Sequence, residues 1–310
     1  MSSKPRPWVE AFAPATVSNL GPGFDCLGLS VGGGGFAPHL PPLGDRVRAR
    51  RSDTPGVRLL KISGDQGRLP LDPVRNTACV AVSTLLDRIG AGELGVELEL
   101  DKGLPLGSGL GSSGASACAA LVAAVAALQL SVGNETLIDA AREGERIACG
   151  TAHPDNVAPA ILGGIVLIAA TEPLRVVSLP VPEGLTLVVY TPGCEVKTAD
   201  ARAVLPQRVG LDAVVRQSAR LGLLVHALHR GDLAMLGEAI VDDLVEPARA
   251  HLIPGFLDAK TNALEAGALA CTISGAGPTT FALCSDGDRA AALLEILDES
   301  FTHAGVPGVG

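Results

Sequence analysis

Residues 103 to 120 read Gly-Leu-Pro-Leu-Gly-Ser-Gly-Leu-Gly-Ser-Ser-Gly-Ala-Ser-Ala-Cys-Ala-Ala and run straight into an alanine-rich helical pattern. Glycine lets backbone amides approach an anion without interference from a Cβ atom. A helix N-terminus adds unpaired N–H groups and the positive end of the helix dipole. Together these make a phosphate cradle. The run therefore demands a loop-to-helix junction that binds a nucleotide.

The chain has 310 residues, more than one hydrophobic core usually serves, so two packed domains are expected. Hydrophobic residues make up 47% and aromatics only 3%, so the cores must be built from Val, Leu, Ile and Ala. A net charge of −9 argues against a DNA or RNA partner, whose phosphates select basic surfaces. The basic stretch Arg46–Arg51 alternates with small apolar residues, as the solvent face of a strand does.

Seven cysteines, at 26, 79, 118, 149, 194, 271 and 284, are scattered with no Cys-x-x-Cys pair. That pattern fits free thiols in a reducing compartment rather than a disulfide framework or a zinc site. The first ten residues lack the apolar stretch of a signal peptide, and no run reaches about 18 apolar residues, the length a membrane helix requires. A cytoplasmic protein is the expectation.

Strand patterns fall at 46–51, 56–63, 95–101, 164–169, 185–190, 271–275 and 279–284. Helical patterns fall at 76–90, 112–130, 135–149, 211–230, 232–245, 256–266 and 288–303. The Pro-containing stretch 171–184 marks the expected domain boundary, giving domains 1–170 and 171–310. The run Gly32–Gly35, with Pro38, Pro41 and Pro42 after it, reads as a mobile loop.

On the 135–149 helix, at about 100° per residue, Leu137, Ile138, Ala140, Ala141, Gly144, Ile147, Ala148 and Cys149 share an apolar arc. Asp139, Arg142, Glu143 and Arg146 fill the opposite arc. Glu145 breaks the pattern by projecting from the apolar side. A buried carboxylate needs an ion pair or a cation, and beside a phosphate loop it is a natural Mg²⁺ ligand. His153, Asp155 and Asn156 cluster in the following loop, which can present them to a ligand or form an ordinary Asx turn. Residues 13–28 make a second Gly/Pro loop carrying Asn19 and Asp25. Residues 272–280, Thr-Ile-Ser-Gly-Ala-Gly-Pro-Thr-Thr, make a third, a turn that brings backbone close to substrate or to the phosphate loop. Thr198 and Arg202 are spaced to share a helix face. Arg249 offers a guanidinium suited to a carboxylate.

The ordered set Pro-Ala-Thr-Val-Ser-Asn-Leu-Gly-Pro-Gly-Phe-Asp, Gly-Leu-Gly-Ser-Ser, His-Pro-Asp-Asn-Val-Ala-Pro and Ile-Ser-Gly-Ala-Gly-Pro-Thr resembles the homoserine kinases of the GHMP kinase superfamily. The resemblance runs from residue 13 to 280. It implies an α+β GHMP architecture: an N-terminal domain like domain 2 of ribosomal protein S5, with a left-handed βαβ unit, and a ferredoxin-like α+β C-terminal domain. It implies phosphoryl transfer from ATP, with Mg²⁺, to the hydroxyl of L-homoserine, in a cytoplasmic enzyme of threonine biosynthesis, and a homodimer as the assembly.

Carried over residue by residue, the resemblance implies that Pro105, Leu106, Gly107, Ser108, Gly109, Leu110, Gly111, Ser112 and Ser113 wrap the phosphates, with Asn76 and Thr77 on the adenosine side. Ser113 and Glu145 would hold Mg²⁺. Asn19, Asp25, His153, Asp155, Arg202 and Arg249 would line the amino-acid site, with Asp25 toward the ammonium group and the two arginines toward the carboxylate. Thr198 would lie beside the reacting end, Asp155 and Asn156 would hold the attacking hydroxyl in line, and Lys197 would share in neutralising the phosphates. Gly114 stands where the family carries alanine. A Walker-type loop would need a lysine after its glycines, which is absent. The Gly-x-Gly-x-x-Gly at 109, 111 and 114 is not followed by the strand and acidic residue of a dehydrogenase. A mevalonate, sugar or shikimate acceptor, or a non-catalytic sensor, are the other readings.

Overall fold

The computed structural model describes residues 6–32, 42–150 and 153–310. The residues of the Gly32–Gly35 loop beyond Gly32, with Pro38 and Pro41, lie outside that set, as do Thr151 and Ala152. In chain order the elements are β1 (Val9–Ser18), β2 (Leu27–Val31), β3 (Gly44–Ser52), β4 (Gly56–Ser63), α1 (Thr77–Arg88), β5 (Gly95–Asp101), α2 (Ser112–Leu128), α3 (Asn134–Cys149), α4 (Val157–Leu162), β6 (Ile165–Thr171), β7 (Leu174–Leu179), β8 (Thr186–Tyr190), α5 (Thr198–Ala203), α6 (Leu211–Arg230), α7 (Leu233–Ala239), α8 (Glu246–Arg249), α9 (Phe256–Glu265), β9 (Ala270–Ile273), β10 (Thr280–Cys284) and α10 (Gly287–His303).

The chain divides into two compact units. One comprises Met1–Thr16, Ser30–Leu106 and Gly111–Val177; the other comprises Val17–Leu29, Gly107–Leu110 and Ser178–Gly310. This departs from a single cut at 170. The Pro-containing stretch opens with the turn between β6 and β7 and includes β7 itself, and these two strands end the seven-stranded sheet β4-β5-β3-β1-β2-β6-β7, so the chain leaves the first unit only after Val177.

In the first unit, β4 and β5 run parallel with α1 crossing between them, while β3 is antiparallel to both β1 and β5. In β3 the arginines alternate outward and Val47 and Ala49 inward. Outside, Arg48 pairs with Glu99, Arg50 and Arg58 share Glu97, and Arg48 and Arg50 lie over the Trp8 ring. The inner face is covered by α2, a helix of small residues buried on nearly every side: Ala115, Ala117, Ala119, Ala120, Ala123 and Ala124 are all enclosed. Alanine has the highest helix propensity and lets neighbouring elements approach closely. On α3 the expected apolar arc holds through Gly144 but not at Ile147, which is 48% exposed in the last turn.

Two segments are regular where the sequence suggested loops, and a third, α5, has the helical spacing expected of Thr198 and Arg202. β1 carries Pro14, which takes the last position of its ladder with β3, opposite Gly44, where a missing donor is tolerated. α4 carries Pro159 in its first turn, whose N–H groups have no helical partner in any case. α5 carries Thr198 at its start and Arg202 one turn later. The helix expected over 232–245 ends at Ala239, because the Asp242 carboxylate accepts the N–H groups of Leu244, Val245 and Glu246 and starts a new turn.

In the second unit, the antiparallel sheet β8-β10-β9 packs with α9 and α10 around Tyr190, Phe256, Leu293, Leu297 and Phe301. The Tyr190 and Phe301 rings stack at 5.2 Å. The Tyr190 hydroxyl donates to Asp298 Oδ1 and accepts from the Gly308 N–H, both at 2.7 Å.

Candidate active site

The phosphate-loop run ends at Gly111, which caps α2 with φ +65. A Cβ there would lie 2.0 Å from Thr16 Oγ1, so only glycine fits. No side chain caps α2, which leaves its first amides available to an anion. Thr16 Oγ1 donates to Asn156 Oδ1 at 2.8 Å, placing the residue after Asp155 beside the cap.

Ser113, in the first turn of α2, hydrogen-bonds the Glu145 carboxylate from α3. Glu145 is only 6% exposed. Burial is the main force on its carboxyl and pushes it up to about 7; the Ser113 hydrogen bond opposes this, the Asp155 charge adds to it, and the Lys102 charge offsets it. Among the described residues, Glu145 Oε1 has no hydrogen-bond partner. A buried carboxylate oxygen left unpaired beside a serine hydroxyl and an open helix terminus suits a hard divalent cation, which takes oxygen ligands. Mg²⁺ fits this donor set.

Beneath the same turn lies a charge pair the sequence reading did not single out. Lys102, just past β5, pairs with Asp45 of β3, and their side chains are 1% and 0% exposed. Lys102 Nζ also donates to Ser112 O and Ser112 Oγ, both at 2.8 Å, and to Ser116 Oγ at 2.9 Å. Asp45 Oδ1 accepts the Gly103 and Leu104 N–H groups, and its Oδ2 accepts Ser116 Oγ–H. The one visible signal was a lysine one residue before the glycine run.

In the second unit, Gly107–Leu110 are held by the β9–β10 turn: Ser274 Oγ donates to Gly109 O at 2.6 Å and the Thr279 N–H donates to Ser108 O at 3.0 Å. That turn braces the phosphate-loop backbone, one of the two partners expected for it. Asn19 donates to Gly275 O and accepts from the Asp25 N–H. Arg202 reaches Asp25 with two bonds, Nη2 to Oδ1 at 2.8 Å and Nη1 to Oδ2 at 3.1 Å. Arg249, 3% exposed, donates Nε to Ala201 O and Nη1 to Gly275 O. Both guanidinium groups lie over the Phe24 ring, at 5.6 and 5.3 Å.

The expected site residues thus gather in two sets. Ser113, Glu145, Asp155 and Asn156 meet in the first unit; Asn19, Asp25, Arg202 and Arg249 meet in the second. His153 is half-buried just ahead of the turn that carries Asp155. Asn76 is spent on structure: its side chain caps α1 at Ala78 N and donates to Pro70 O, with Thr77 opening the helix behind it. Lys102, Asp45, Phe24, Thr16 and Ser274 are the contributors the sequence reading missed. Among the described residues, no group of three or more His, Cys, Asp or Glu side chains is placed to cage a metal.

The family model for the GHMP kinases N terminal domain matches residues 76–164, and that for the GHMP kinases C terminal matches residues 224–303. The homoserine kinase of Chlorobium phaeobacteroides is 43% identical over 94% of this chain and 92% of its own length. That of Arabidopsis thaliana is 43% identical over 96% of this chain and 79% of its own. The crystal structure of homoserine kinase from Cytophaga hutchinsonii superposes with a TM-score of 0.91 and 42% identity, covering 99% of this chain and 94% of that one. With an α+β fold of the same kind and relatives this close along its whole length, the chain belongs to the homoserine kinase family of ATP-dependent GHMP kinases.

Proposed function

We propose that this protein transfers the γ-phosphoryl group of ATP to the side-chain hydroxyl of L-homoserine, forming O-phospho-L-homoserine for threonine biosynthesis. The observation that carries the chemistry is the buried Glu145 carboxylate bonded to Ser113 at the uncapped start of α2. The identity of the acceptor rests on the likeness to homoserine kinases at about 40% identity.

Phosphoryl transfer needs little covalent help from a protein and much positioning and charge neutralisation. Backbone amides from Gly107 to Ser112 receive the phosphates, aided by Lys197. Ser113 and Glu145 would hold Mg²⁺, which supplies charge neutralisation on the transferring group. Asp155 and Asn156 orient the acceptor hydroxyl, and Thr198 lies toward the reacting end. In the second unit, Asn19, Asp25, Arg202 and Arg249 recognise the ammonium and carboxylate groups of the amino acid. Asn76 and Thr77 sit on the adenosine side, where the side-chain bonds of Asn76 leave contact to the backbone. No helix among the described residues is long and apolar enough to cross a membrane; we place the enzyme in the cytoplasm, as a homodimer with no nucleic-acid partner.

The deciding test is an ADP-release assay on the purified chain with homoserine, mevalonate, galactose and shikimate as acceptors. ADP formation that depends on homoserine and Mg²⁺ supports the reading. Turnover with another acceptor only, or none with any, refutes it.

A further inference from the structure

The Lys102–Asp45 pair has no place in the reaction described above, and stability does not explain it. A lysine ammonium at a helix N-terminus opposes the helix dipole. Burying an ion pair is expensive, and an apolar pair of similar volume is often as stable or more so. Yet every polar partner of this ammonium is a group that shapes the start of α2: the carbonyl and hydroxyl of Ser112, the hydroxyl of Ser116, and the carboxylate that also holds the Gly103 and Leu104 amides. Ser113 is the next residue, and the Lys102 charge also acts on Glu145.

We propose that Lys102, locked in place by Asp45, is a positioning residue that fixes the first turn of α2 so that Ser113 meets Glu145, and thereby sets the affinity for the metal-bound nucleotide rather than for the amino acid. The inference rests on the metal site proposed above but not on homoserine as acceptor. Its physical basis is that a partner orienting a metal ligand typically affects metal affinity by about 10- to 100-fold.

Calorimetry of the full-length protein with ADP, alone and with Mn²⁺, tests it without turnover. The double variant Lys102→Met/Asp45→Asn removes both charges, so no uncompensated carboxylate is left buried. It should raise the Kd for Mn-ADP by about 10- to 100-fold while changing the Kd for metal-free ADP by less than about threefold. In steady state the MgATP KM should rise in parallel with the homoserine KM unmoved. The single Asp45→Asn keeps an acceptor for the Gly103 and Leu104 amides but leaves the Lys102 ammonium buried without its counter-charge, so where it folds it should weaken Mn-ADP binding at least as much as the double variant. If either folded variant binds Mn-ADP as the wild type does, or loses both forms of ADP equally, Lys102 is merely structural and the proposal falls. Wild-type protein that binds Mn-ADP in this manner but does not phosphorylate homoserine would overturn the proposed acceptor and leave this inference supported.

Discussion

Asp25 and Arg202 face each other through two parallel hydrogen bonds, at 2.8 and 3.1 Å. The residues expected to take opposite ends of an amino-acid zwitterion are thus each other's partners. An incoming amino acid must exchange one charged bond for another, so its affinity depends on keeping both members.

Asp25→Asn removes the charge behind its two bonds to Arg202 and the anchor for an ammonium group. Charge-assisted hydrogen bonds are worth about 1.5–3 kcal/mol, so the homoserine KM should rise roughly 10- to 100-fold. The MgATP KM should stay within about twofold in the same initial-rate measurements, and a larger shift there would place Asp25 elsewhere in the reaction.

Glu145→Gln keeps the size of the side chain and a partner for Ser113 but removes the buried charge. Turnover should fall by about 100-fold or more as metal charge neutralisation is lost. The melting temperature should match or exceed that of the wild type, since an isolated buried carboxylate is costly. Retention of most of the rate would take Glu145 out of the metal site.

Tyr190 is the chain's single tyrosine, so tyrosinate absorbance reports on it alone. Burial and its hydrogen bond to Asp298 push its hydroxyl up to about 12, against an opposing contribution from the Gly308 N–H. Ionisation in native protein should therefore appear near pH 12, about two units above a free tyrosine. The folded state keeps its proton where the unfolded chain has lost it. The stability this supplies is full below about pH 10 and disappears as pH rises through about 12. Chemical denaturation across that window should show a shallower decline in Tyr190→Phe than in the wild type, the remainder coming from the buried thiols of Cys79, Cys118 and Cys271, whose protons folding also retains.

Burial pushes the Cys79 and Cys271 thiols up to about 12 and raises that of Cys118 well above its ordinary value. The thiolate is the reactive form. Iodoacetamide on native protein at pH 8 should therefore modify the half-buried Cys26 and Cys194 well before these three, as peptide mass spectrometry reads. Early labelling of Cys118 would contradict the packing of α2.

Most of this molecule can be read in its residues where a single period governs them. The alternation in β3 and the apolar face of α3 are visible because each strand or helix presents one buried side. Glu145 stands out for the same reason, as an acid on the wrong side of a helix. β1, β7 and α4 are hidden because Pro14, Pro173 and Pro159 look like breakers, yet each sits at a ladder end, a turn or a first helical turn where the missing N–H costs nothing. The Lys102–Asp45 pair joins residues 57 positions apart, and no local pattern can report a partner brought in by sheet pairing. The double stacking on Phe24 is invisible for the same reason, since its two arginines arrive from α5 and α8.

The crowding of α2 carries one more consequence. Six of its alanines are shut off from solvent, so a bulkier side chain there must displace its neighbours, and close-packed interiors transmit displacement rather than absorb it. The serines that open the helix are therefore seated on an unyielding mount. Bulkier residues introduced far along that helix should impair catalysis before they unfold the protein, and tolerance to mutation there should be the lowest in the chain.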